Sequence, residues 1–291
     1  MDATLDVDRA PAAPAPRWHG ELTLGFAARG GGTALVERRH EGPLQVQRAF
    51  HPEGPAVCHV YLLHPPGGLV AGDELEVGVH LATGAHALLT TPASTKVYRS
   101  GHGRLARQRQ HLRVAPGARL EWLPQDTIVF EGAEVELATA VELEGNAAFL
   151  GWEMVCLGRP AAGDRFTRGG CRQRFEVFRD GRPLVIERLR VEGGGALQAA
   201  AWGLGAAAVN ATVVCSPAGP DDLEQARAAL AEVSGVADDV LVAATLVDGA
   251  LVVRARGADP ANVRARLERL WMTLRPRVLG RPPCPPRIWL T

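Results

Sequence analysis

Hydrophobic and polar residues alternate along much of this chain. In Leu75-Glu76-Val77-Gly78-Val79-His80-Leu81 the four aliphatic side chains fall on one face of an extended strand. From Trp18 to about Ala255, short runs rich in Val and Leu are separated by turn signals: Gly30-Gly31-Gly32, Pro65-Pro66-Gly67-Gly68, Asp180-Gly181 and Asp248-Gly249. The two Asp-Gly pairs predict hairpins, because both residues tolerate the positive φ of a tight turn. One hairpin joins Arg172–Phe178 to Leu184–Val191, and the other joins Leu241–Val247 to Leu251–Arg256.

A looser repetition runs through the middle. Gly84, Gly117 and Gly145, spaced 33 and 28 residues apart, each precede a strand that leads into an apolar segment. Repeats of this length suit coils of sheet stacked as a β-helix or irregular β-solenoid, and they also suit any all-β chain with regular Gly turns. Helix patterning is confined to the last quarter. Asp221 or Asp222 caps a helix near 221–234 whose stripe is Leu223, Ala226, Leu230 and Val233, with Gly235 as its stop. Asp259-Pro260 opens a second helix near 260–275, carrying Val263, Leu267, Leu270, Trp271 and Leu274 and ending at Arg275-Pro276. Proline density makes the tail, 281–291, extended. The fold class is mainly β, with two C-terminal helices giving an α+β chain overall.

Composition narrows the function. The 291 residues read as a lead-in, 1–16, too polar and proline-rich to order, followed by one β-rich domain, 17–291. Basic and acidic residues cancel at 32 each, against the basic excess of a nucleic-acid binder. Cys58, Cys156, Cys171, Cys215 and Cys284 are odd in number and widely spaced, which fits free thiols in a reducing compartment. Gly193–Pro220 is uncharged and long enough to span a bilayer, but it is mostly Gly and Ala and is broken by Gln198, Asn210, Thr212 and Ser216. A cytoplasmic protein without a membrane segment is expected.

Catalytic signatures are missing. The only lysine, Lys96, follows Thr95 rather than a glycine loop, and no serine sits in GxSxG. Gly203-Leu204-Gly205-Ala206-Ala207-Ala208 fits a dinucleotide fingerprint, but Val209–Cys215 after it reads as strand rather than helix. Cys58, His59 and His64, with His51 nearby, offer soft metal ligands at no standard zinc spacing. Glu187 lies on the apolar face of its strand with Val185, Leu189 and Val191, so it either pairs with an arginine such as Arg172 or Arg174 or lines a wet passage. Glu153, between Trp152 and Met154, and Asp126, before Thr127-Ile128-Val129-Phe130, raise the same question.

Several blocks resemble signature stretches of the UreD (UreH) family of urease accessory proteins. They are Gly42–Arg48, His64–Asp73, Thr90–Arg99, Leu120–Ile128, Gly151-Trp152-Glu153 with Gly158-Arg159, and Pro286-Arg287-Ile288-Trp289. The resemblance implies a β-helix-like assembly with a helix pair. It also implies a dedicated assembly factor rather than an enzyme, joining UreF, the GTPase UreG and apo-urease to deliver nickel through an internal tunnel. No tightly bound cofactor follows, only transient Ni²⁺ moving past dispersed carboxylates such as Glu187, Glu153 and Asp126. The C-terminal helices and Pro-rich tail are the expected UreF side.

Overall fold

A computed structural model describes residues 18–101, 103–231 and 239–290. The 1–16 lead-in, Val233 and Gly235 lie outside the described residues.

The chain opens with a hairpin of β1 (His19–Arg29) and β2 (Gly32–Glu41), then β3 (Gln45–Val46), β4 (Cys58–Leu63) and β5 (Gly68–Leu69). Three coils follow: β6 (Glu74–Leu81), β7 (His86–Thr90) and β8 (Thr95–Val97); then β9 (Ala106–Val114), β10 (Arg119–Leu123) and β11 (Thr127–Val129); then β12 (Glu134–Leu143) and the long β13 (Ala148–Leu157). Equivalent strands pair in parallel: Glu74 opposite Arg107, His86 opposite Arg119 and Arg119 opposite Ala148. The Gly spacing was therefore the coil period, and the stacked-coil reading holds.

Each coil turns the same way for the same reason. Gly84 and Gly117 adopt φ of +74° and +71°, open to glycine at no steric cost. Just after the turn glycine, Ala85, Ala118 and Ala147 donate their N–H three residues back to Ala82, Ala115 and Glu144, each at 3.0 Å. A side chain larger than methyl has little room there, since all three alanines are fully buried.

Two hairpins complete the sheets: β14 (Gly170–Arg179) with β15 (Arg182–Glu192), and β17 (Leu241–Val247) with β18 (Ala250–Gly257), the latter added beside β16 (Val209–Ser216). One sheet has seven strands in the order β15-β14-β12-β9-β6-β1-β2. The other has eleven, built on β17-β18-β16-β13-β10-β7-β4-β3. The seven-stranded sheet has one wet face, so β6 alternates strictly between buried and half-buried residues. On that wet face Arg107 and Arg109 reach across to Glu74 and Glu76, and Arg174 reaches Glu136. The larger sheet is covered on both sides. Its inner face meets the first sheet and its outer face meets the helices, so β13 reads as a nearly continuous apolar run.

Helices α1 (Ala196–Ala199), α2 (Pro220–Ala231) and α3 (Pro260–Leu274) follow, and α2 and α3 pack on that outer face. Asp259 caps α3 by accepting the Ala261 N–H at 2.7 Å. The start of α2 is one residue earlier than expected, at Pro220. Asp222 sits in the first turn and reaches back to the Gly219 N–H at 2.9 Å, the second half of a capping box.

Two expectations about the C-terminus are corrected. Arg275-Pro276 does not end α3: the chain continues as one wide π turn, Arg275–Leu279, which absorbs the N–H that Pro276 lacks and stops at Gly280 with φ +66°. The tail is extended only to Pro286, because Arg287–Leu290 form a 3₁₀ turn that folds Trp289 onto Trp152 and Trp271. Gly203–Ala208 feeds β16, as the strand reading required. No helix among the described residues is long and apolar enough to cross a membrane.

Candidate functional site

Between the two sheets a largely apolar core is interrupted by a group of polar side chains. On the larger sheet Glu153, Thr212 and Arg254 are directly opposite one another on β13, β16 and β18. On the smaller sheet Gln110, Thr139, Phe175 and Glu187 form the matching row on β9, β12, β14 and β15. The rows meet at two points. Thr139 Oγ1 lies 2.6 Å from Glu153 Oε1, and Arg254 Nε donates to Glu187 Oε2 at 3.1 Å. A file of polar groups thus crosses the sandwich.

Glu153 borders a cleft of about 120 Å³ that is also lined by Gln108, Gln110, His64 and Trp122. Its Oε1 accepts the Trp122 indole N–H at 2.9 Å. Burial pushes its pKa up, and the hydrogen bonds from Thr139 and Trp122 only partly oppose this. The Thr139 hydroxyl also lies 3.0 Å from Gln110 Oε1, yet it has one hydrogen. Either Glu153 is protonated and donates to Thr139, or the Gln110 amide presents its NH₂ group.

Glu187 lines a second recess of about 240 Å³, together with Gln173, Asn210, Thr212 and Arg254. The expected apolar-face placement is correct, but the partner is Arg254 rather than Arg172 or Arg174. The reason is alternation. On β14, Cys171, Gln173 and Phe175 point inward, which leaves Arg172 and Arg174 on the wet face. Arg254 reaches in from the other sheet, where no strand of the seven-stranded sheet lies beyond β15.

The third acid stands apart. Asp126 occupies the corner between β10 and β11, where Ser94 Oγ donates to it at 2.6 Å, and it borders neither recess. The Cys58, His59, His64 and His51 grouping is not assembled either. Strand alternation puts Cys58 in the inter-sheet core and turns His59 outward, and His51 bonds the Thr33 carbonyl at 2.8 Å. Only His64 lines the cleft, with Nδ1 buried and unpartnered and its pKa lowered by burial. Among the described residues, no three His, Cys, Asp or Glu are placed to hold a metal ion. All five cysteines are free, and four are buried.

A second polar centre lies on the outer face of the larger sheet, under the C-terminal elements. Arg275 is fully buried. Its Nε donates to Glu121 Oε2 at 2.9 Å, and its Nη2 donates to Glu121 Oε1 at 3.0 Å and Glu53 Oε1 at 2.5 Å; Nη1 donates to the Pro282 carbonyl. His86 binds Glu121 at 2.9 Å, His59 binds Glu53 at 2.8 Å, and the Trp271 N–H donates to Glu121 at 2.7 Å. Burial works to raise the Glu53 pKa, but the hydrogen bonds from His59 and Arg275 outweigh it and hold the carboxyl at about 2. Glu121, wholly buried, is lowered by the same balance with His86 and Arg275. The guanidinium is the cation of this site, locking the π turn and the tail to β10.

Sequence reading passed over Glu121 and Arg275. The signal for Glu121 was an acid inside the apolar run Leu120–Leu123, the pattern that did single out Glu187. Arg275 gave none, because its burial depends on a helix running past a proline.

Comparison with known proteins is consistent along the whole chain. Residues 19–290 match the family model described as UreD urease accessory protein. A urease accessory protein UreD of Alkalilimnicola ehrlichii is 52% identical over 287 residues, covering 98% of this chain and 96% of that protein. Those of Azoarcus sp. and Pseudomonas entomophila are each 47% identical, covering 100% of both chains and 95% of both chains respectively.

Proposed function

The chain belongs to the UreD urease accessory protein family, and on that premise we propose that it serves urease maturation as a scaffold whose interior passes nickel toward apo-urease. It does so in a cytoplasmic complex with UreF and the GTPase UreG, and holds no metal of its own. The observation that carries this reading is the polar file between the sheets, with Glu153 at one cleft and Glu187 at a second recess.

The chemistry suits a cargo in transit. Ni²⁺ accepts carboxylate, imidazole and water ligands, and its affinity rises with the number of ligands a site closes around it. Here the carboxylates and His64 are spread along a line rather than gathered into a cage, so each step holds the ion briefly and releases it. Burial without a cationic partner disfavours the charged form of Glu153, which argues that it is kept for a reason other than stability. Arg254 beside Glu187 repels a cation, so the ion must displace that pairing to pass. Asp126 is outside the file and is no longer needed by it.

Glu187→Ala tests the reading. Urease matured with the variant should carry less nickel, while the complex with UreF co-purifies as before. Full nickel loading with a stably folded variant would remove Glu187 from the route.

A further inference from the structure

A recess of about 280 Å³ opens where the first hairpin, the second coil and the tail converge. It is lined by Arg29 at the end of β1, Gly30–Gly32, Arg119 at the start of β10, Arg281 on the tail, and His86. Three arginines line this recess, and no Asp or Glu does. None of the three arginines has a carboxylate partner among the described residues. Arginines elsewhere on this surface are commonly paired, as Arg107, Arg113, Arg174 and Arg188 are.

His86 supplies an independent sign of a missing hydrogen-bond donor, because with Nε2–H donating to Glu121 the Nδ1 of the neutral ring is a lone-pair acceptor. It is 3% exposed, and its Nε2 is held by Glu121. Its backbone N–H donates to Thr33 Oγ1 at 2.9 Å, yet its Nδ1 is buried with no hydrogen-bond partner. An unmet buried ring nitrogen costs about 1–3 kcal/mol unless something fills it.

We propose that this recess binds a small oxyanion of the phosphate class. The three arginines supply charge and forked donors, and the P–OH of a hydrogenphosphate can donate to Nδ1 of His86 at the inner wall. At ~30 Å³ per water of liquid volume, the space admits such an ion with part of its hydration shell. The twin glycines suit the mouth: Gly30 and Gly31 take φ of +56° and +79°, and a Cβ at either would meet no atom within 4 Å, so the approach is open. Because Arg281 lies on the tail just past Gly280, a bound anion ties the tail to the β1–β2 turn. The site is separate from the inter-sheet file and stands or falls independently of nickel passage.

Titrating the full-length protein with inorganic phosphate, at ionic strength matched with chloride, tests this by calorimetry. Saturable binding is expected, weakened about tenfold in each of Arg119→Gln and Arg281→Gln and lost in the double variant, whose circular dichroism matches the parent. Phosphate heats no larger than those of chloride, or equal affinity in the parent and the folded double variant, would overturn the proposal.

Discussion

Replacing Arg275 with methionine probes what holds the C-terminal elements to the solenoid. The side chain is fully buried and makes three hydrogen bonds to carboxylates, two to Glu121 and one to Glu53, and a fourth to the Pro282 carbonyl. Methionine fills comparable space but leaves both carboxylates buried without their cation. Breaking a buried pair in this way costs ~3–5 kcal/mol, most of it from the stranded charges rather than the lost bonds. For a chain of this size that lowers Tm by roughly 6–20 °C. The same cause predicts a rescue: adding Glu121→Gln and Glu53→Gln to Arg275→Met removes the stranded charges and should recover a large part of the loss. Thermal unfolding followed by circular dichroism reads both effects. A single variant within 1 °C of the parent, or a triple variant less stable than the single one, would refute the reasoning.

The acid limb of stability should carry the signature of Glu53. Its folded pKa, about 2, lies below its ordinary value of 4.5, so its contribution is complete above pH 4.5 and disappears as pH falls toward 2; urea midpoints across that window should fall less steeply in Glu53→Gln than in the parent. Glu153 has the opposite sign, since its raised pKa means that the carboxyl opposes folding once pH exceeds the unfolded value. Glu153→Gln should therefore be more stable than the parent at pH 7, on the order of 1 kcal/mol, and no more stable at pH 4; equal urea midpoints at pH 7 would contradict the burial assigned to Glu153.

The coil architecture was legible because it rests on local rules. The glycine that opens each turn and the alternation of β6 are written in consecutive residues, and the Asp-Gly hairpins and the Asp259 cap appear where turn and cap chemistry put them. Glu187 was placed on the correct face by the same alternation. Its partner was not, because Arg254 is distant in sequence and comes from a different sheet. Cys58, His59 and His64 looked like a cluster in sequence, yet a strand's two-residue period sends adjacent side chains to opposite faces. The continuation past Pro276 was hidden for a related reason: the buried Arg275 network stabilises a π turn that local propensity disfavours.

The claim that nickel travels between the sheets is tested most directly by obstructing the file and counting metal. Thr212 faces the inter-sheet space between Glu153 and Arg254, so Thr212→Trp places an indole across the path. Urease matured beside the variant, with complex assembly verified by co-purification, is then analysed for nickel per active site by plasma mass spectrometry. The account predicts urease protein in normal amount but depleted in nickel, whereas full metal content with the passage obstructed would contradict it.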